Sequence, residues 1–186
     1  MPQGVWDQEL ERVRQLKDSL GMPVDPGIED LVTVLRLLGF DTVASCQGHA
    51  DRVTGGPYVM VQSKQAQLVF GEQQKLADSS GETARTLLKK ARDLNTREGH
   101  RLELLLDRYY ESRAVTWGKV LEVRSVGYVV NRLCFVHAES DQLFGGDLNA
   151  KRLRLRQDEM KRFATFLRDE LLDLGGPKGE ASLGAA

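Results

Sequence analysis

Phe40-Asp41-Thr42-Val43-Ala44-Ser45, then Cys46-Gln47-Gly48-His49-Ala50-Asp51-Arg52-Val53-Thr54-Gly55-Gly56-Pro57, then Tyr58-Val59-Met60-Val61-Gln62, is the stretch that decides the architecture. Its two ends are short, β-branched and alternating, the pattern of half-buried strands. The polar, glycine-rich middle reads as a loop of about twelve residues, longer than an ordinary connection and of a length associated with function.

Helical spacing flanks this pair on both sides. Trp6, Leu10, Val13, Leu16 and Leu20 recur at helical intervals and Gly21 supplies a stop. After the connector Pro23-Val24, Asp25 is placed to cap a second helix with Pro26 at its first position, Ile28 to Leu38 as its apolar face and Gly39 as its end. Downstream, 65–95 reads as helical with a break at Asp78-Ser79-Ser80-Gly81. Leu102 to Tyr110 forms a separate helical stripe. Residues 119–124 and 128–137 read as strands turning at Ser125-Val126-Gly127. Met160, Phe163, Leu167 and Leu171 mark a last amphipathic helix. Helices and strands do not alternate regularly, which predicts an α+β fold. We expect a single domain over residues 1–175, with a mixed or antiparallel sheet packed against several amphipathic helices, and a flexible C-terminal tail at 176–186.

Composition agrees. The chain has 186 residues, 41% hydrophobic and 28% charged, which excludes wholesale disorder and a disulfide miniprotein. With 26 basic and 27 acidic residues the net charge is -1, so global attraction to nucleic acid or anionic membrane is not expected. The N-terminus lacks a charged start followed by an apolar core, and no run of 18 apolar residues occurs. A cytoplasmic protein with reduced Cys46 and Cys134, and no membrane partner, is the expectation.

The loop carries the chemistry. Ser45, Cys46, His49, Asp51 and Arg52 place a hydroxyl, thiol, imidazole, carboxylate and guanidinium within eight residues, and Gly48 permits a bend that brings Cys46 and His49 together. Three uses fit. Cys46 can act as a nucleophile activated by His49 with Asp51 orienting the ring. Cys46 and His49 can ligate a metal, zinc in the first place. Backbone N–H groups around Gly48, with Ser45 and Arg52, can bind a small anionic or nucleotide-like ligand. The plain alternative is a small buried thiol at a strand end, a histidine satisfied by carbonyls and an Asp turn.

Cys134-Phe135-Val136-His137 repeats the Cys-x-x-His spacing of the loop. In a strand, positions three apart face opposite ways, so the second pair cannot readily share one ion. A Cys46, His49, His137 set remains open. Lys151-Arg152-Leu153-Arg154-Leu155-Arg156 alternates basic and apolar residues. As a strand it presents a cationic ridge able to contact RNA phosphates, or simply a solvated face beside core-facing Leu153 and Leu155.

The blocks Val24-Asp25-Pro26-Gly27-Ile28, Leu38-Gly39-Phe40-Asp41-Thr42, Ser45-Cys46-Gln47-Gly48-His49 and Gly56-Pro57-Tyr58-Val59, with Leu105-Leu106 through Arg113, resemble an uncharacterised bacterial family. That family has a strand, a Ser-Cys-Glu-Gly-His loop and a Pro-aromatic strand. This chain departs from it with Gln47 where glutamate is usual. The resemblance implies a site at the loop, adds Arg113 as a ligand-binding candidate and names no activity. A shorter stretch (Thr42, Ser45, Cys46, Gly48) is similar to the Thr-Thr-Ser-Ser-Cys-Ser-Gly-Arg loop of the wybutosine-synthesizing tRNA methyltransferase family, with His49 in place of arginine. It implies only that a strand followed by this loop can form a binding site. The expectation is a ligand-binding or catalytic site at Ser45–Arg52; the alternative is a non-enzymatic regulatory or interaction protein, with or without a structural metal.

Overall fold

A computed structural model describes residues 2–18, 21–49, 56–76, 80–136 and 150–174. Its elements run α1 (Gln3–Gln15), α2 (Glu29–Leu37), β1 (Asp41–Cys46), β2 (Tyr58–Gln62), α3 (Lys64–Gln74) and α4 (Glu82–Tyr110). A short 3-10 turn (Trp117–Lys119), β3 (Leu121–Val126), β4 (Val130–Phe135) and α5 (Ala150–Leu174) follow. The four strands form one sheet in the order β1-β2-β4-β3, antiparallel throughout. The fold is α+β, as the patterning predicts.

Local chemistry explains several boundaries. Gly39 ends α2 with φ +84°: its N–H bonds the Arg36 carbonyl and the Phe40 N–H bonds the Leu35 carbonyl, the paired closure of a Schellman motif. Ser63 begins α3 by accepting the Ala66 N–H on its hydroxyl at 3.2 Å. The β3–β4 turn lies two residues later than expected, at 127–129. Gly127 adopts φ +71° there, and the strands pair without interruption from Leu121↔Phe135 to Val126↔Val130. On β1, an edge strand, pairing shifts between Thr42↔Val61 and Ala44↔Met60. Val43 is left as a bulge of the kind that discourages edge-to-edge pairing.

One apolar cluster joins α1, α2, α4 and α5 to the sheet, with Trp6, Leu35, Val59, Leu106, Leu133, Phe135 and Phe163 all buried in it. The two helical stripes expected between 82 and 110 are a single helix. Its inward face at mid-length is polar: Asn95 and Gly99 meet Asn131 of β4. Asn131 donates to the Asn95 carbonyl and to Asn95 Oδ1, both at 2.9 Å, and accepts from Ser125 Oγ at 2.9 Å. A β-carbon at position 99 would stand 3.0 Å from Asn131 Oδ1, so glycine lets the helix approach the sheet.

The stretch 151–156 is helical, which overturns its reading as a strand. Leu153 and Arg156, one turn apart, are buried at 7% and 3% exposure, whereas Leu155 is 37% exposed and not core-facing. The Arg156 guanidinium lies 5.4 Å from the centre of the Phe135 ring. One turn further into α5, Glu159 is buried. It accepts the Tyr109 hydroxyl at 2.9 Å, with Arg162 at 3.6 Å and Arg113 at 3.8 Å. Among the described residues no helix is long and apolar enough to cross a membrane. Residues 176–186 lie outside the described part of the chain.

Candidate functional site

β1 delivers Cys46 to the strand end, where the residue is 9% exposed. Gly48 adopts φ +85°, the bend expected of it, and its N–H donates to Cys46 Sγ at 3.3 Å. The turn brings His49 back toward the strand. Its Nε2 stands 3.3 Å from Oδ2 of Asp25, which arrives from the connector between α1 and α2. Asp25 does not cap α2: that helix starts only at Glu29, after the turn at 26–28, with no side-chain cap. Instead its carboxylate faces the loop and accepts the Gln47 N–H at 3.0 Å.

Three donor groups of different chemistry therefore converge. Donor atoms of Asp25, Cys46 and His49 all lie within 4.8 Å of one another. The Asp25 and His49 side chains are 28% and 25% exposed, so solvent reaches the cluster from one side. Two donors each about 2.0–2.1 Å from a tetrahedral ion stand about 3.3 Å apart. The observed 3.3 Å between Asp25 Oδ2 and His49 Nε2 matches that edge. The other hydrogen bonds also suit ligation: the carboxylate is held by a backbone N–H and the sulfur receives one, as outer-sphere partners of a metal site do.

The frame around the cluster comes from distant chain. Gln47 Oε1 accepts the Gly27 N–H at 2.9 Å, and a β-carbon at position 27 would fall 2.4 Å from that oxygen. A side chain at position 27 would therefore displace the Gln47 amide from this hydrogen bond, and the neutral amide at 47 does the accepting that a glutamate oxygen can also do. From α5, Gln157 Nε2 reaches the carbonyls of Gln47 at 3.1 Å and Gly48 at 3.4 Å. Loop, connector and α5 are tied together on both sides of Gly48.

The other expected site residues divide as follows. Ser45 lines a small cavity of about 100 Å3 with Thr42, Val24 and Leu16. Arg113 is placed by its neighbours at a different cluster, beside buried Glu159 and 4.6 Å from the centre of the Tyr109 ring. Asp51, Arg52 and His137 lie outside the described residues. Cys134 is buried on β4 opposite Glu122, and no disulfide joins the two cysteines. Tyr58 pairs with Cys46 and its neighbour Val59 with Leu133, so Cys46 and Cys134 sit two strands apart, about 10 Å and beyond disulfide reach.

Sequence reasoning missed Asp25 and Gln157. Asp25 lies within the Val24–Ile28 block, but Asp-Pro-Gly is ordinary turn chemistry and hides a carboxylate aimed at a loop 22 residues later. Gln157 follows a basic run and carries no local signal. No family model, curated protein or solved structure matches this chain.

Proposed function

We propose that Asp25, Cys46 and His49 form a divalent-metal centre of the zinc class that binds and polarises a small anionic ligand. The observation that carries this reading is the convergence of a thiol, an imidazole and a carboxylate within 4.8 Å, built from segments on either side of α2. Sulfur, nitrogen and oxygen are the donor set zinc takes, and three protein ligands leave one tetrahedral position for water or ligand, as catalytic zinc sites do. Partial exposure of Asp25 and His49 gives that position access to solvent. An ion there would act as a Lewis acid and lower the pKa of a bound water. The chain's own part is to fix donor spacing through the Gln47, Gly27 and Gln157 hydrogen bonds.

The His49–Asp25 contact and the Gly48 N–H on Cys46 Sγ also favour a second reading. In it His49 takes the Cys46 proton and Asp25, rather than Asp51, orients the imidazole. Elemental analysis of untagged protein purified without chelator separates the two. One equivalent of zinc, lost in a Cys46→Ser, His49→Ala double variant, is the expected result. No metal in folded wild type, together with rapid alkylation of Cys46 that slows in His49→Ala, would replace the metal centre by the thiol–imidazole pair.

A further inference from the structure

The two edges of the sheet differ. β1 slips in register at the Val43 bulge and makes a poor template for another strand. β3 is regular: it pairs with β4 without a shift from Leu121 to Val126 and contains no proline. The phase of its hydrogen bonds fixes which groups face outward. Val136 N–H donates to the Val120 carbonyl, and on the other side of β4 the Ser63 N–H donates to the Val129 carbonyl. Antiparallel bonding alternates along a strand, so residues 120, 122, 124 and 126 face β4 with their backbone groups, and 121, 123 and 125 face away from it. The Leu121 N–H agrees with this phase, since the Tyr110 hydroxyl accepts it at 2.9 Å outside the ladder. Among the described residues no backbone partner meets Val123 or Ser125 on that outer side.

The side chains of the same strand are self-complementary. Ser125 lies opposite Asn131, which faces α4, so Val120, Glu122, Arg124 and Val126 alternate along the other face of the sheet. Apolar, acidic, basic, apolar is an order that matches itself when read backwards against a second copy. A two-fold axis through Val123 sets Glu122 opposite Arg124 of the second copy and Val120 opposite its Val126, each contact occurring twice. Moving the axis to 122 or to 124 sets like charges directly opposite, which is unfavourable. The central register also joins the outward backbone groups. Val123 exchanges N–H and carbonyl with its own copy, and each Ser125 N–H meets a Leu121 carbonyl, while the Leu121 N–H stays with Tyr110. Arg124 Nε already lies 2.6 Å from Glu122 within one chain, so the junction closes a network of four charges rather than adding an isolated pair. Val126, 44% exposed, gains an apolar neighbour.

We propose that β3 pairs edge to edge with β3 of a second copy of this chain, centred on Val123, to form a symmetric dimer. The charge order selects a second copy over a foreign strand. The two sheets then become one, with the bulged β1 at both of its outer ends. The proposal goes beyond the loop centre and does not depend on it. Pairing of one six-residue strand buries less than a standard interface, so the dimer is weak and forms with rising concentration.

Sedimentation velocity over a concentration series tests it on wild type, Glu122→Arg, Arg124→Glu, an equal mixture of those two variants, and Val123→Pro, with thermal midpoints checking that each is folded. Wild type should pass from monomer to dimer. Each charge reversal replaces two attractive contacts by two repulsive ones and should weaken dimerisation at least about tenfold. Mixed, the two variants set arginine opposite glutamate at every contact, so the mixture should dimerise as wild type does. Val123→Pro removes an N–H that faces away from β4, leaves the β3–β4 bonds in place and should abolish the dimer. Should Val123→Pro fail to fold, the charge variants carry the test. A wild type that stays monomeric overturns the proposal. A dimer untouched by the reversals and by Val123→Pro overturns it as well, because the contact then lies on another surface. Reversals that dissociate the dimer without recovery on mixing overturn the register centred on Val123.

Discussion

Replacing Asp25 separates the structural from the chemical role of the carboxylate. Asp25→Ala removes the acceptor of the Gln47 N–H at 3.0 Å and the negative neighbour of His49 at 3.3 Å. A hydrogen bond to a charged acceptor contributes about 1.5–3 kcal/mol, and water recovers part of that at a side chain 28% exposed, leaving roughly 1–2 kcal/mol. In a chain of this length each kcal/mol moves the thermal midpoint by about 2–4 °C, so the variant should melt roughly 2–8 °C lower. Asp25→Asn keeps an oxygen for the Gln47 N–H and loses only the charge, so its stability loss should stay below about 1 kcal/mol. Zinc affinity, measured by competition with a chelating dye, should behave differently. Both variants lose the anionic ligand, and each should bind at least about tenfold more weakly. Equal destabilisation by the two substitutions with zinc affinity unchanged would refute the reasoning, and would make Asp25 a brace for the loop and nothing more.

Other parts of the molecule give equally definite expectations. Glu9 is buried; desolvation alone would raise its pKa, but hydrogen bonds from Arg36 at 2.6 Å and Arg12 at 3.1 Å outweigh that and hold it below the usual glutamate value. Its stabilisation, about 1–2 kcal/mol, is present above the unfolded pKa of about 4.3 and is lost as pH falls through the lower folded value. Denaturant melts of wild type and Glu9→Gln should therefore differ at pH 7 and converge in strong acid; a constant gap would contradict the ion pair. Gly99→Ala forces a β-carbon to 3.0 Å from Asn131 Oδ1, which its own hydrogen bonds hold in place, and should cost about 1–3 kcal/mol by chemical denaturation. A neutral result would mean that α4 can lift from the sheet freely. Burial pushes the Tyr110 phenol up to about 12, and burial with the Glu159 hydrogen bond raises Tyr109 further. Glu159→Gln should bring the Tyr109 ionisation down in a spectrophotometric alkaline titration, and an unmoved curve would contradict the assigned hydrogen bond.

Where the amino-acid pattern obeys one period it reads correctly. Tyr58–Gln62 alternates and is a strand; Ile28, Leu31, Val32 and Leu35 recur at helical spacing and end at Gly39. The pattern misleads where buried polar groups interrupt it. Continued backward from Met160, Phe163 and Leu167, the apolar stripe of α5 would place an apolar residue at 156, but Arg156 is buried there against Phe135. Without that position, the remaining Leu153 and Leu155 mimic the alternation of a strand. Asn95 and Gly99 break the stripe of α4 in the same way, because their partner is Asn131 rather than an apolar surface.

The candidate site divides along the same line. Cys46, Gly48 and His49 are neighbours in sequence, and the bend that joins them is legible in a single glycine. Asp25 and Gln157 reach the loop through tertiary structure, from 24 residues before His49 and 110 residues after Gln47. Local chemistry offered Asp25 a complete alternative as a helix cap, and nothing adjacent to Gln157 marks an amide that binds two loop carbonyls.

The central claim is that Asp25, Cys46 and His49 hold one metal ion with sulfur in its coordination sphere. Cobalt(II) titration of the wild-type chain reports both at once, through the thiolate-to-cobalt charge-transfer band and the visible bands of tetrahedral cobalt. The account predicts saturation at one equivalent, loss of the charge-transfer band in Cys46→Ser, and displacement of cobalt by zinc. A folded protein that shows no such band, or one whose band survives Cys46→Ser, would contradict it.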